Sequence, residues 1–352
     1  MFQFDDAMLD QVIRRYQLPP PKVIEVNGVP KCFPHEQRLV DEQLQNLKPL
    51  INLILDHAPW SISKSEVIAK CSLQYAWKYG NGGIKKIPEI VPYQEATIGV
   101  VVHKTLELSL SDNFDNASPP LSPEQRVKTS MAIAIDTYPY EEKKKETAAP
   151  LTHDEIEQVR LFFDQIVRFV AKMDDRKKRF GSRMTFQERQ WGVSPTFTPT
   201  PFFDPYQPKP KDGEPPPPVK HQVFFRGVVD YGMFTQSQHM IIIDHKSGKV
   251  KPLDKTAAQC KAYCVMAVVQ HPELKGVQTA INYIMHNEEP WNPHVSTSVI
   301  RQEYFPWLIN FVLENGRNLL LAEPRPKPSQ AWVCNWCGYK PICPKHGGSG
   351  PK

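Results

Sequence analysis

A chain of 352 residues with 40% hydrophobic and 23% charged content has the composition of a globular protein and the length to bury a substantial core. No apolar run approaches the ~18 residues of a membrane span, and MFQFDDAMLDQ lacks the basic start and apolar core of a signal peptide, so a soluble, cytoplasmic protein is expected. A net charge of +5 and a pI near 8.7 are compatible with a polyanionic partner without requiring one, and seven cysteines argue against a disulfide framework and for reduced thiols.

In chain order, FDDAMLDQVIRRYQL has the spacing of an amphipathic helix closed by Pro19, Pro20 and Pro21. VIEVNGVPKCF then reads as a small hairpin turning at Asn27 and Gly28, and HEQRLVDEQLQNLKPLINLILDH is again helical. Residues 1–58 carry no assignable chemistry and are expected to be an appendage of unknown role, with Cys32 structural. WSISKSEVIAKCSLQYAWKYG predicts one helix, capped by Ser61 or Ser63, with Cys71 in its second half. ATIGVVVHKTLELSL predicts another, with Gly99, His103 and Glu107 on one side.

Residues 112–150 are rich in Pro, Ser and Lys around a short helical run, and Lys143, Lys144 and Lys145 read as solvated surface. LTHDEIEQVRLFFDQIVRFVAKMDDRKKRF predicts a single amphipathic helix with Leu161, Ile166, Val167 and Val170 facing the core. Its basic end, Arg176 to Arg179, complements the helix dipole or faces phosphates. MTFQERQWGV reads as a strand carrying Glu188, which a strand-edge ion pair would also explain. Residues 194–221 are too proline-rich for helix or strand and are expected to form a surface insertion of polyproline character.

The chain is organised around VFFRGVVDYGMF, MIIIDHKSG and AAQCKAYCVMA. Period-two alternation puts Arg226, Val228 and Asp230 on one face of the first strand, and Ile242, Asp244 and Lys246 on one face of the second. The polar TQSQH between them has hairpin length, so Asp230, Asp244 and Lys246 are expected at neighbouring strand ends, two carboxylates beside one ammonium. In the following helix Gln259 and Tyr263 are one turn apart, and Cys260 and Cys264 form an adjacent stripe assigned to core packing. CNWCGYKPICP places Cys334, Cys337 and Cys343 within ten residues, a clustering that calls for a fourth ligand. A structural zinc using Cys71 or His346 fits that clustering as it stands.

In motif order, GVVVH, GVVD, DHKSG, QCKAY and CNWCGYKPIC resemble the RecB-like branch of the PD-(D/E)xK nucleases. The likeness is to its iron–sulfur members, such as the AddB nuclease domain and the exonucleases of CRISPR adaptation. Cys71-Ser72 departs from the Cys-Pro of many relatives. The resemblance implies an α/β fold: a restriction-endonuclease-like small mixed sheet carrying Glu188, Asp230 and Asp244, flanked by helices, with a helical iron–sulfur subdomain. It implies a nuclease domain over residues 59–333 and a C-terminal cysteine cluster over 334–352 packing back on the Cys71 helix.

For the site it implies Mg²⁺ or Mn²⁺ held by Asp230, Asp244, His103 and the His245 backbone carbonyl, with Lys246 at the attacking water and Gln259 and Tyr263 beside it. It further implies a [4Fe-4S] cluster on Cys71, Cys334, Cys337 and Cys343, with structural Zn²⁺ as the alternative. The implied activity is a DNA exonuclease on single-stranded or end-bearing DNA in recombination, repair or CRISPR adaptation. A structure-specific endonuclease on the same site, or a non-catalytic metal-stapled DNA-binding subunit, are the alternatives. No phosphate loop of the GxxxxGK[ST] kind occurs, so any unwinding falls to a helicase partner.

Overall fold

The computed structural model describes residues 57–80, 94–111, 119–141, 150–182, 184–203, 223–321 and 337–350, the strands at 23–26 and 29–32, and isolated positions 54, 84, 86, 87, 114 and 334. The two N-terminal helix candidates, Lys143 to Lys145, the Cys32 side chain and most of the proline-rich insertion lie outside these residues. The chain forms two compact units, one from Met1–Glu89, Trp191–Gly227 and Ser298–Lys352, the other from Ile90–Gln190 and Val228–Thr297.

In the first unit, β1 (Val23–Val26) pairs antiparallel with β2 (Val29–Cys32), the Val26–Val29 pair lying next to the expected turn. The expected single helix around Cys71 is instead two helices, α1 (Ile62–Lys70) and α2 (Ser72–Tyr79), with Cys71 at the junction in extended backbone. Ser61 caps α1 by accepting the Lys64 N–H, and the Cys71 sulfur accepts the Gln74 N–H at the start of α2. Fully buried Trp60 anchors this region: its indole donates to the Ile54 carbonyl, and its backbone bonds both Phe224 and Arg226.

Among the described residues, the second unit holds most of a sheet, a crossover helix within it and four helices that precede it in the chain. Those four are α3 (Gln94–Ser109), α4 (Pro123–Glu141), α5 (His153–Arg160) and α6 (Phe163–Arg179). Helix α4, at 19 residues, is much longer than the short run expected from the sequence. The chain expected to be one helix breaks between α5 and α6. Three consecutive apolar residues, Leu161 to Phe163, are more than one helix face can bury, and the break sends Phe162 inward while Leu161 stays 65% exposed. Thr152 and Glu155 form a capping box at the start of α5.

Six strands follow: β3 (Met184–Val193), β4 (Pro199–Thr200), β5 (Phe225–Phe234), β6 (His239–Lys246), β7 (Gly276–Tyr283) and β8 (Val295–Ser296). They form one mixed sheet in the order β4-β3-β5-β6-β7-β8, and β3 and β5 each contribute residues to both units. β5 and β6 are antiparallel and closed by a short turn in which Gln238 takes a left-handed backbone (φ 64°). Helix α7 (Leu253–Gln270) makes the crossover that sets β7 parallel to β6. On one side of the second unit's sheet, Ile98, Val101, Val102 and Leu106 of α3 join Ile166, Phe169, Val170 and Met173 of α6 against Tyr231, Met233, Ile241 and Ile243. Gly232 is required there: a Cβ on it would sit 2.0 Å from the Phe186 ring of β3. The later part of α7, Ala262 to Val269, is apolar all round and correspondingly buried, and Cys260 and Cys264 are buried too.

The proline-rich insertion is not wholly irregular. Its start folds back as β4 onto the end of β3, pairing Gly192 with Thr200 and Val193 with Pro199. Within that turn Phe197, in left-handed backbone (φ 57°), stacks on Phe305 at 4.1 Å between ring centres. Phe305 opens α8 (Phe305–Leu321) after a short π-helical turn at Ile300–Tyr304. No helix among the described residues is long and apolar enough to cross a membrane.

Candidate active site

The β5–β6 backbone ladder stops at the Tyr231–Ile243 pair, and the next residues toward the open end of the two strands are Asp230 and Asp244. Asp230 lies within β5 and not at its end as the sequence suggests. In place of a further ladder bond, its Oδ2 accepts the His245 backbone N–H at 2.7 Å. Both carboxylates are thus delivered by the end of the pairing, with Asp244 1% exposed and the Asp230 side chain 11% exposed.

Helix α3 and strand β3 supply the rest. His103 Nδ1 lies 3.7 Å from Asp230 Oδ2 and 3.8 Å from Glu188 Oε1, and the ligand atoms of His103, Glu188 and Asp230 all lie within 4.8 Å of one another. These separations exceed a hydrogen bond and match the ~3–4 Å between neighbouring donors around an ion bound at ~2.1 Å. Glu188 reaches the group from a left-handed backbone (φ 45°), a conformation that costs a non-glycine residue on the order of 1–3 kcal/mol and is concentrated at functional sites. Burial along β3 loses its alternation through this stretch, as expected where a strand is bulged. Gly99, one turn before His103, leaves room for Ser247, whose Oγ lies 3.3 Å from where a Cβ would be.

Charge in the pocket is unbalanced. Burial, then the neighbouring Asp244 and Glu188 charges, push the Asp230 carboxyl up to about 7 against the opposing pull of His103 and Lys246. Burial works against a charged His103, but the facing Glu188 carboxylate and the charges of Asp230 and Asp244 outweigh it, and its pKa is raised. A cation among these three donors would relieve that repulsion. One imidazole nitrogen beside carboxylate oxygens fits a divalent ion, Mn²⁺ more readily than Mg²⁺.

Asp244 is held from the other side. Its Oδ1 accepts from Gln259 Nε2 and from the Tyr263 hydroxyl, both at 2.7 Å, and Gln259 also donates to that hydroxyl at 2.8 Å. Burial and the Asp244 charge hold the Tyr263 phenol well above its ordinary pKa, so it stays a donor. Lys246 Nζ pairs with Asp244 Oδ2 at 2.7 Å, while its side chain remains 39% exposed.

Sequence reasoning used only the carbonyl of His245; its side chain has surroundings of its own. The ring packs edge-on against Phe169 at 5.0 Å and His103 at 6.0 Å, and its Nδ1 lies 3.2 Å from Asn282 Nδ2. Burial, with His103 and Lys246 adding, holds it well below its ordinary pKa, so it is neutral. Phe169 and Asn282 were not named from sequence. The pointer to Asn282 is the parallel register, in which it is the direct partner of His245.

The four cysteines singled out from sequence belong to the first unit. Cys337 precedes a turn and Cys343 lies between two short 3-10 segments, while Cys334 has helical backbone, with its chain neighbours outside the described residues. Cys71, Cys337, Ile342 and Ile87 pack on a buried group of Leu73, Trp77, Tyr339 and Cys343, and the Tyr339 hydroxyl donates to the Ile87 carbonyl. Burial pushes the Cys337 thiol up, and nearby Cys71, Cys343 and Cys334 each add to the shift, so the four sulfurs share one neighbourhood. None of the four is in a disulfide, and His346, on the turn after Cys343, is exposed.

No curated protein matches the chain. The family model of the PD-(D/E)XK nuclease superfamily matches residues 59–344, a span containing both the carboxylate pocket and the cysteine group. A hairpin that stops pairing where its two aspartates enter a cation-deficient pocket is the feature this match makes intelligible, and the chain belongs to the PD-(D/E)XK nuclease superfamily.

Proposed function

We propose that the protein is a metal-dependent deoxyribonuclease that degrades single-stranded or end-bearing DNA, a narrower reading than the phosphodiester hydrolysis its superfamily implies. The observation that carries it is the His103, Glu188 and Asp230 donor group beside an Asp244–Lys246 pair. His103, Glu188 and Asp230 would hold Mg²⁺ or Mn²⁺, with Asp244 and the His245 carbonyl contributing from β6. When bound, the ion lowers the pKa of a water and offsets charge on the scissile phosphate. Gln259 and Tyr263 fix the Asp244 carboxylate, and Asp244 in turn holds the Lys246 ammonium at the mouth of the site, where it orients the attacking water or exchanges a proton at Nζ.

Cys71, Cys334, Cys337 and Cys343 are proposed to hold a [4Fe-4S] cluster, supported by their shared neighbourhood and by the resemblance of their spacing. Hydrolysis needs no redox step, so the cluster would act through the fold. Described cysteines outside any disulfide suit a reducing compartment, and the cytoplasm is the proposed location. A role in recombination, repair or CRISPR adaptation, beside a helicase partner, follows from the resemblance.

Digestion of linear duplex, covalently closed circular and single-stranded DNA with Mg²⁺ or Mn²⁺, beside Asp244→Ala, tests the reading. Progressive loss of linear and single-stranded DNA, survival of the circle and an inert variant are expected. Rapid nicking of the circle would make the enzyme an endonuclease. Equal rates in variant and wild type would overturn the site. Iron and sulfide near four per chain are expected in anaerobically purified protein; one zinc in their place would replace the cluster by a structural metal.

A further inference from the structure

The first unit holds a second set of groups for which the hydrolytic site has no use. Lys64 lies on α1 and is 8% exposed, yet no carboxylate is among its described partners. Its ammonium donates to the carbonyls of His57 and Pro59 and sits over the rings of Trp60 (5.4 Å) and Tyr79 (5.1 Å). Two other positive charges act on it: after burial, Arg226 and Lys86 press its pKa down to about 7. Arg226 is spread over two further rings, 4.8 Å from Phe202 and 5.4 Å from Phe203, and donates to the Phe202 carbonyl. Those rings meet edge to face at 4.9 Å, and Phe203 is 62% exposed, the one aromatic among the exposed large apolar side chains of the described residues.

We propose that Phe203, Phe202 and Arg226 form a seat for one nucleotide of a single-stranded nucleic acid, the base stacking on Phe203 and its phosphate meeting Arg226 in the positive field of Lys64 and Lys86. The inference rests on the nucleic-acid reading above and names where the strand is held. An exposed aromatic face gains little in water and gains much under an unpaired base, and an arginine braced by rings presents a fixed charge to a phosphate. A buried ammonium with no carboxylate among its described partners, pressed by the like charges of Arg226 and Lys86, is relieved by an anion. A duplex already stacks its bases on one another and has no face to offer Phe203.

The test is anisotropy titration of labelled single-stranded DNA, single-stranded RNA of the same sequence and blunt duplex DNA, using full-length protein in EDTA so that nothing is cut. Phe203→Ala is expected to weaken single-strand binding roughly 5- to 150-fold, the alanine cost of one stacked base, while Phe203→Trp restores it and the duplex is unaffected. Arg226→Gln should lower the salt slope on single strands by about 0.7, one phosphate contact. Because Phe203 is exposed, its variants should melt with the wild type. A loss on RNA alone would support the seat and assign RNA to it. Unchanged single-strand binding in Phe203→Ala overturns the seat and leaves the proposed function standing, whereas a wild type that binds neither strand overturns both.

Discussion

The carboxylate pocket and the Lys64 pocket are mirror cases of one physical situation. In the first, burial and neighbouring acids push the Asp230 carboxyl up to about 7; in the second, burial and neighbouring cations push the Lys64 ammonium down to about 7. Each presses a buried charge against like charges, a costly arrangement that a counter-ion of opposite sign would relieve. The carboxylate pocket has lone pairs from three residues converging at donor spacing, which suits a small cation. The Lys64 pocket has carbonyls and ring faces behind its cations and an exposed phenyl in front, which suits a phosphate attached to something flat. Crowded charge of one sign is thus a pointer to the sign of the ligand.

The largest expected effect separates the two pockets outright. Asp230→Ala and Asp244→Ala should each lower cleavage by about 10³-fold or more, the several kcal/mol that a positioned ion contributes to the transition state. Both should leave single-strand binding in EDTA nearly unchanged. Loss of binding in EDTA by either variant, in protein that melts normally, would mean that the carboxylate pocket also seats the strand and that the division of roles is wrong.

Next in size are the residues that hold Asp244 without belonging to the donor group. Tyr263→Phe removes a 2.7 Å donor to Asp244 Oδ1 and Gln259→Ala removes another, and each should cost about 10- to 100-fold in kcat, as loss of an outer partner typically does. Tyr263→Phe keeps the packing of a fully buried ring, so its melting temperature should move little. An unchanged kcat in both would show that Lys246 alone fixes Asp244.

How much of this was readable beforehand differs between the two pockets. Period-two alternation places Asp244 and Lys246 on one face of β6, and the four-residue spacing of Gln259 and Tyr263 puts them on one face of α7, because both are properties of single elements. Glu188 entered through family likeness, and nothing local announces its left-handed backbone, which reflects what the surrounding sheet imposes. Leu161 misled because periodicity runs straight through a helix break. Asn282 became visible only with the register of two strands joined by a helical crossover. The Lys64 pocket was invisible: Lys-Ser-Glu in an amphipathic helix reads as solvent-facing, and only Trp60 and Tyr79 closing over the ammonium bury it.

A smaller effect tests the opposite signs directly through pH. For Asp230, whose ordinary value is 3.8, the folded chain keeps a proton that the unfolded chain has lost over the window from about 4 to about 7. Metal-free stability from this group therefore falls as pH rises through that window. Urea midpoints should drop between pH 5 and pH 7.5 in EDTA, the drop should shrink in Asp230→Asn, and saturating Mn²⁺ should reverse it. Equal pH slopes in wild type and Asp230→Asn would mean that the carboxyl is already ionised across this window in the folded chain, and would remove the case for a cation-deficient pocket.

The smallest expected effect is the mirror of that one. Lys64 has an ordinary value of 10.5, so between about 7 and 10.5 the unfolded chain holds a proton that the folded chain has released. Its contribution to stability therefore rises with pH across this window, opposite in sign to that of Asp230. Lys64→Met keeps an unbranched chain against Trp60 and Tyr79 but leaves the His57 and Pro59 carbonyls without their donor. Those two losses offset: the variant gives up hydrogen bonds of about 1 kcal/mol each and also the cost of a buried charge, so its net change at neutral pH should be small. The diagnostic reading is the slope. Wild type should gain stability from pH 7 to pH 9.5 relative to Lys64→Met, and inorganic phosphate or a short single strand should flatten that difference by favouring the charged ammonium. Parallel pH curves for the two proteins would show that Lys64 keeps its proton throughout, and the mirror relation between the pockets would fail while the carboxylate site stood untouched.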